Sequence, residues 1–459
     1  MEAESLLQHV TDFCRRAGMA ESTFGRLAVN DGKFVARLRA GGRATRDTTE
    51  RVIAFMQKEA PPSDPDGPAE PLPPVRARVA PQATVGAFRF YENRQKYLLF
   101  VNTCSEKVEI ANRVEQEIPS LSPTPPALRL FDAGVGDGTV LARVLRTLHH
   151  QYEKTPIYVV GKEISLEDVR LALEKMADRF QEHPATVLVM TNMHYAEAPW
   201  LTPQKAQAAA GLVWREVVLQ GDSAAEFDVQ IGELEPFLAE NWRARISEAS
   251  GNPIYDKPVV LVIYREDCRF LLDQVIPRPG SVRADYDLII ASQPYRARAS
   301  TEFKARRVVA PLARALAPGG RLIGIHSCGG DPGMDIVQRV WPGEEPFITN
   351  RHDLLRATKV ELGSRARWFN FLAGSDAKSL FKHRMHMLPG EINTGSGVGT
   401  STLFAAWNAA TYNAQIEDDR LAEAMSGDLY LKATEDVLKA HKGLWFWDES
   451  FIISRKRDL

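Results

Sequence analysis

The run LRLFDAGVGDGTV, from Leu128 to Val140, is the stretch whose residue types and spacing most clearly suggest chemistry, and the helical pattern LARVLRTLHH follows it. An apolar strand breaks at a glycine-rich turn and enters a helix. Gly134, Gly136 and Gly138 allow backbone conformations closed to other residues and let a ligand approach without meeting a Cβ atom. The turn therefore reads as a nucleotide cradle. Dinucleotide folds prefer G-x-G-x-x-G, with pyrophosphate at the helix N-terminus. Here the spacing is G-x-G-x-G, and Asp132 stands at the end of the strand. A second apolar run, Pro156 to Ile164, ends with Glu163, where a carboxylate can accept both hydroxyls of a ribose.

These residues resemble motif I and the acidic second-strand position of the class I S-adenosylmethionine-dependent methyltransferases. The resemblance implies a Rossmann-like seven-stranded α/β sheet and S-adenosyl-L-methionine as cofactor. It also implies that Asp132 faces the methionine amino group, that the glycines pass beneath the adenosyl moiety and that Glu163 holds the ribose. A cationic ammonium suits that carboxylate, whereas a pyrophosphate would be repelled by it. By position, Asn192 and Met193, at the end of the third strand Ala185 to Asn192, resemble the residues that bracket adenine. The segment Phe88 to Tyr97, FRFYENRQKY, resembles the aromatic lid that precedes motif I.

The fourth strand is expected at Tyr286 to Ala291 and runs into Ser292-Gln-Pro-Tyr295. This resembles the [DNS]-P-P-[YF] motif of methyltransferases that act on planar amino groups, although Gln293 occupies the place of the first proline. Ser292 and Tyr295 are thereby expected to point toward the transferred methyl. Methyl transfer from a sulfonium is an in-line displacement, so alignment and a dry pocket suffice unless the acceptor must lose a proton. His194, His326 and Tyr295 each stand just beyond a strand end, where a base would sit.

The elements that must position this chemistry occupy most of the chain. Roughly 90 residues separate strands three and four, far more than a crossover needs, so an insertion is expected at about 200–282. It contains strand-like runs of its own, Leu212 to Leu219 and Val259 to Tyr264. After LARALAPGGRLIGIHS, read as the approach to the fifth strand, come the helical DLLRATKVEL and the terminal LWFWDESFIISRK, which looks like the hairpin that completes the sheet. A C-terminal elaboration is expected at about 365–430. In it Lys382, His383, Arg384 and His386 form a basic cluster with Phe381 and Met385 interleaved, read as a solvated helix face or as a binder of anions.

Ahead of all this stands a unit of four short helical patterns over residues 1–59, followed by a proline-dense linker at 60–84. The segment TFGRLAVNDGKFVARLRAGG resembles the helix-turn-helix modules of the lambda-repressor kind. From Lys33 through Arg37, Arg39, Arg43 and Arg46 there are five basic residues and no acidic one, as a DNA-reading helix would need. Lys33, Arg37 and Arg39 are the expected DNA contacts, and a homodimer would present two such units. The same face could instead dock a protein.

The 459 residues carry 57 Lys+Arg against 59 Asp+Glu, a formal charge of −2, so any attraction to nucleic acid is local and no membrane association is expected. The N-terminus MEAESLLQHV lacks a basic region followed by an apolar core, which leads to the expectation of a cytoplasmic protein. Cys14, Cys104, Cys268 and Cys328 are scattered and form no close pair, so neither a disulfide framework nor a metal site is expected. Three functions fit. One is a methyltransferase with an unidentified small-molecule or protein acceptor, the second a DNA or RNA base methyltransferase, and the third a transcription regulator that senses S-adenosylmethionine. A closed pocket around Tyr295 would favour the third.

Overall fold

Near-continuous apolar runs make the central strands, because strands covered by helices on both faces have no solvent side to alternate toward. Three of these strands are β1 (Leu128–Asp132), β2 (Ile157–Lys162) and β3 (Thr186–Thr191), and β3 is buried along its whole length. A computed structural model of the chain describes residues 3–16, 21–40, 44–58, 94–247, 253–387, 390–393 and 397–457. The chain divides into two units, Met1–Ala80 and Pro81–Leu459. The expected linker and Phe88 to Asn93 of the expected aromatic lid lie outside the described residues.

In the larger unit the strands continue as β4 (Val213–Leu219), β5 (Val259–Arg265), β6 (Tyr286–Ser292), β7 (Leu316–Ser327), β8 (Phe369–Leu372), β9 (Leu380–Arg384) and β10 (Trp445–Arg455). They form one ten-stranded sheet in the order β8-β10-β7-β6-β1-β2-β3-β5-β4, with β9 also paired to β10. The five strands from β7 to β3 run parallel, while β10 lies antiparallel to β7, and β8 and β9 antiparallel to β10. This is a mixed, mostly parallel α/β sheet of Rossmann-like type. Its carboxyl edge gathers the ends of β1, β2, β3 and β6, the place where such sheets take ligands.

The sheet is larger than the seven strands expected. The insertion supplies β4 and β5, and β5 pairs antiparallel with β3, extending the same sheet. Every residue of β5 is buried, so its apolar run is explained by its place between two strands.

Four helices frame the site: α5 (Arg94–Thr103), α6 (Glu106–Glu115), α7 (Thr139–Gln151) and α8 (Leu166–Glu174). The C-terminal elaboration contributes a helix at Thr400–Asn413 whose Trp407 and Tyr412 pack with Tyr97 and Phe100 of α5. That packing holds Tyr97 against the glycine turn.

The N-terminal unit consists of helices α1 (Ala3–Arg16), α2 (Glu21–Val29), α3 (Phe34–Arg39) and α4 (Arg46–Lys58) around buried Leu6, Val10, Phe13, Phe24, Phe34, Leu38 and Val52. The turn between its second and third helices is tight. A Cβ on Gly25 would stand 2.3 Å from the Asp31 carbonyl oxygen, so only glycine fits there. Lys33, Arg37 and Arg39 are exposed, with Arg37 paired to Asp31 at 2.8 Å and Arg39 to Glu21 at 2.6 Å. Exposed pairs of this kind contribute little, because solvent and salt screen them. Arg43 lies outside the described residues. Among the described residues, no helix is long and apolar enough to cross a membrane.

Candidate active site

The glycine turn takes the form its residues demand. Gly136 and Gly138 have φ of 54° and 80°, in the left-handed region that favours glycine. A Cβ on Gly138 would meet the Ala172 Cα at 2.7 Å, so this glycine lets α7 lie close to α8. A Cβ on Gly134 would meet only the Ser292 carbonyl oxygen, at 3.8 Å. There the backbone borders open space between the ends of β1 and β6.

Asp132, at the carboxyl end of β1, is buried, and its Oδ1 accepts the Gly134 N–H at 3.1 Å. Burial pushes its carboxyl up to about 7, the Gly134 hydrogen bond offsets part of this, and nearby Glu163 adds to it. No salt bridge reaches it among the described residues, and Lys107 is the cation whose charge acts on it, with the smallest effect of the four. Glu163 lies one residue beyond β2. Its Oε2 accepts from Gly136 N at 2.9 Å, and its Oε1 from Ile164 N at 2.7 Å and Ser165 N at 2.9 Å. Three backbone donors orient this carboxylate, and each oxygen keeps acceptor capacity for a hydroxyl. Trp242, from the insertion, donates Nε1–H to the Glu163 carbonyl at 3.0 Å and buttresses the same turn.

Asp137 stands just ahead of α7, accepting from Thr139 N at 3.3 Å and from the Thr139 hydroxyl at 2.5 Å. Burial alone would raise its carboxyl, but Lys107, Thr139 and Lys175 together hold it below the usual range. A carboxylate therefore sits where a dinucleotide fold would receive pyrophosphate. Tyr97 closes this side, with its hydroxyl 3.4 Å from Asp137 Oδ1 and 3.3 Å from Asp137 N. Asp168, capped into α8, is raised to about 7 by burial and then by Glu163. Asp132, Asp137, Glu163 and Asp168 outnumber Lys107 and Lys175, and the pocket is negative. Nothing in the sequence marks Lys107, Lys175 and Asp168 as members of this site, because α6 and α8 bring them in from outside the glycine segment, whereas Tyr97 ends the segment that resembles the aromatic lid.

The two residues expected at the adenine end have their side chains engaged within the fold. Asn192 is buried and donates Nδ2–H to the Lys257 carbonyl at 2.9 Å, while its Oδ1 accepts from Val259 N at 2.8 Å. Its side chain bolts the start of β5 to the end of β3. Met193 is fully buried in the apolar layer with Leu201 and Tyr264. The extra antiparallel strand at this edge gave both residues structural work.

Across the sheet, Ser292 ends β6, half-buried, and Gln293 follows at φ 46°, a strained conformation for a residue with a side chain. Gln293 is pinned by its own amide: Nε2 donates to Ser327 Oγ at 2.9 Å and to Asp448 Oδ1 at 3.3 Å. Tyr295 is turned inward. Its hydroxyl lies 2.6 Å from His326 Nδ1, His326 Nε2 lies 2.8 Å from Glu449 Oε1, and Glu449 Oε2 accepts from Arg351 at 2.8 Å. Burial and then Glu449 push the Tyr295 phenol well above its ordinary value. Lys304, buried beside the ring at 5.2 Å, is lowered by burial to about 8. The cavity between Tyr295, Lys304, His326 and Gln293 measures about 10 Å³, the room of one water molecule. Tyr295 is thus buried with its hydroxyl directed to His326, where the expectation has it point toward the transferred methyl. His194 stands apart from this chain and rests on Tyr255, with ring centroids 5.0 Å apart.

The basic cluster also differs from its reading as a helix face. Residues Leu380–Arg384 form β9, so side chains alternate: His383 is buried, whereas Lys382 lies 5.3 Å and 5.4 Å from the rings of Trp445 and Trp447.

No protein-family model and no curated protein matches the chain. Among solved structures it is similar to geranyl diphosphate methyltransferase in complex with SAM, at 11% sequence identity, covering 75% of this chain and 85% of that one with a TM-score of 0.28. It is also similar to a putative sarcosine dimethylglycine methyltransferase from Galdieria sulphuraria, at 10% identity over 82% and 94% of the two chains, TM-score 0.28. The cyclopropane synthase MmaA2 from Mycobacterium tuberculosis has 12% identity over 75% and 83%, TM-score 0.29. The functional reading therefore stands on the geometry of the pocket itself.

Proposed function

We propose that the chain is an S-adenosylmethionine-dependent methyltransferase acting on a small-molecule or protein acceptor. One observation carries the reading: a buried carboxylate, Asp132, stands beside a glycine turn and makes no salt bridge among the described residues. A ligand ammonium would supply one, and the surrounding acids suit a cofactor that bears both an ammonium and a sulfonium. A dinucleotide would set its pyrophosphate against Asp137. The open space at Gly134 fits an adenosyl moiety, and Glu163 is oriented to accept from its ribose. Bound there, S-adenosylmethionine supplies a methyl group already activated toward transfer.

The chain contributes alignment, charge and exclusion of water. Asp132 holds the amino end, Glu163 the ribose, and Tyr97 covers the turn. Ser292, across the cleft from Gly134, stands at the acceptor side. A proton lost by the acceptor has a hydrogen-bonded chain available in Tyr295, His326 and Glu449, with Arg351 holding the last carboxylate. Titration calorimetry with S-adenosylmethionine, its demethylated product and NAD tests the cofactor, and transfer of a labelled methyl group into fractionated cell extract tests the reaction. Preference for NAD, or binding of none of the three, overturns the reading.

The small size of the cavity at Tyr295, about 10 Å³, favours a second reading, in which the larger unit senses S-adenosylmethionine and the N-terminal unit binds DNA through Lys33, Arg37 and Arg39. It predicts cofactor binding without transfer. It also predicts duplex DNA binding by the full chain that weakens steeply with salt, because each neutralised phosphate releases counterion. Fluorescence anisotropy of the full chain against a chain starting at residue 84 decides this. Equal binding by both removes the N-terminal unit as the DNA reader.

A further inference from the structure

Glu106, His383 and Asp448 come from three distant parts of the chain and meet behind the Gln293 turn. Glu106 opens α6, His383 is the inward residue of β9, and Asp448 lies on the facing strand β10. One donor atom from each lies within 4.8 Å of the other two. His383 and Asp448 have no exposed surface, and Glu106 is 5% exposed.

What makes the cluster unusual is that its polar atoms are left over. Among the described residues, neither ring nitrogen of His383 has a hydrogen-bond partner, and neither has Asp448 Oδ2. The two side chains approach no closer than 3.8 Å, between His383 Nε2 and Asp448 Oδ2. An unsatisfied buried polar group costs about 1–3 kcal/mol, more when charged, so such groups require an explanation.

The surroundings fix these side chains in place. Asp448 Oδ1 accepts from Ser327 Oγ at 2.8 Å and from Gln293 Nε2 at 3.3 Å, so Oδ2 is turned toward His383. The His383 ring stacks on Phe446 at 5.1 Å and meets the edge of Phe100 at 5.9 Å. Lys107 Nζ lies 3.4 Å from Glu106 Oε2 and offsets one of the two carboxylate charges. Outer hydrogen bonds and packing of this kind orient the ligands of metal centres.

We propose that Glu106, His383 and Asp448 bind one divalent transition-metal ion. One imidazole nitrogen and two carboxylate oxygens form a donor set suited to zinc, manganese or iron(II). Calcium and magnesium want a shell of six or more oxygens, and the absence of sulfur disfavours copper(I). Ligand bonds to such ions measure about 2.0–2.2 Å, so the three side chains draw together by a modest shift on binding. The ion ties α6 to the β9–β10 pair. Because α5 and α6 carry Tyr97 and Lys107 to the glycine turn, it also braces that wall of the cofactor pocket. The site stands independently of the identity of the cofactor.

Tag-free full-length protein decides the matter. Elemental analysis of the purified protein, and cobalt(II) titration after chelator treatment, are expected to show one equivalent per chain. Cobalt binding should produce visible ligand-field bands, and zinc should displace them. Adding zinc to chelator-treated protein should raise the Tm, since the ion binds only the folded state. His383→Ala is expected to abolish the cobalt bands, and Glu106→Gln to weaken binding by about 100-fold or more, given that even outer-shell changes cost 10–100-fold. Should either variant fail to fold by circular dichroism, the stoichiometry and spectrum of the wild-type protein still decide. Substoichiometric binding of zinc, manganese, iron(II) and cobalt(II) alike overturns the proposal, as does full binding by both folded variants.

Discussion

The edge of the sheet at β1 and β2 and the edge at β6, β7 and β10 are comparably rich in polar groups, yet they use them in opposite ways. Around the glycine turn, backbone N–H groups orient the carboxylates of Asp132 and Glu163 and leave acceptor capacity facing open space. Around Tyr295 the side chains bond to one another, from Tyr295 through His326 and Glu449 to Arg351. A site prepared for a diffusing ligand keeps oriented groups unsatisfied. A network that satisfies itself holds architecture or passes a proton.

The largest expected effect comes from filling the open side. Gly134→Val should lower cofactor affinity by at least 100-fold, or about 2.7 kcal/mol, while the Tm stays near wild type, because only the Ser292 carbonyl lies near the new Cβ. Calorimetry and thermal melts on the same samples read both. Undiminished affinity would mean that the turn is not the cradle. Gly136→Val should also abolish binding but lower the Tm, since φ is 54° and the Tyr97 hydroxyl lies 3.1 Å from the added Cβ.

Next in size is the charge at Asp132. Asp132→Asn should weaken binding by about 1.5–3 kcal/mol, the worth of a charge-assisted hydrogen bond. With its folded-state value raised to about 7, Asp132 is largely protonated at pH 6, so wild-type affinity should fall about tenfold between pH 7.5 and pH 6 and the variant's should not. The effect on the ligand-free fold has the opposite sign. A carboxyl raised above its unfolded value binds more protons when folded, so stability falls as pH rises from about 4 to 7. Asp168 titrates in the same window, so melts of Asp132→Asn should show a shallower decline with pH rather than none. A variant with an unchanged pH profile of binding would remove the ammonium from the assignment.

Glu163→Ala separates the two uses of polar groups within one residue. Loss of the ribose acceptor should cost about 1.5–3 kcal/mol of binding. From sequence alone the fold is expected to change little, but three backbone donors lose their acceptor in this variant. A stability loss of about 1–3 kcal/mol in denaturant melts is therefore expected too. Normal binding would show that Glu163 serves the turn alone.

The smallest effect on the cofactor is expected across the sheet. Tyr295→Phe removes one partner of His326 Nδ1, so calorimetric affinity for the cofactor should remain within twofold while stability falls by about 0.5–1.5 kcal/mol. A large loss of cofactor affinity would break the separation between the two edges. Loss of methyl transfer with affinity retained would sharpen it, by placing Tyr295 in the acceptor reaction.

How far each edge can be read from sequence follows from how it is built. The turn of Asp132, Gly134, Gly136 and Gly138 lies in one contiguous strand-turn-helix segment, and Glu163 ends the next strand, so local patterning suffices to find them. Asn192 looks alike in sequence whether it borders adenine or bolts a neighbouring strand. Only the pairing of β5 with β3 decides that. The segment around Lys382 and His383 has charge but no clear period. It becomes a strand because β10 offers it a partner, and pairing then sends His383 inward.

By itself the amino-acid sequence determined the glycine turn, the acids at the ends of its two strands, the alternation of strands and helices that makes a parallel sheet, and the four-helix pattern at the N-terminus. These rest on contacts between near neighbours in the chain, where residue type dictates backbone conformation. The tertiary structure alone decided that the insertion widens the sheet, that Tyr295 faces His326 and that Glu106, His383 and Asp448 converge. Those outcomes depend on which distant strand finds an edge and which side chain is then enclosed, and no local spacing carries that information.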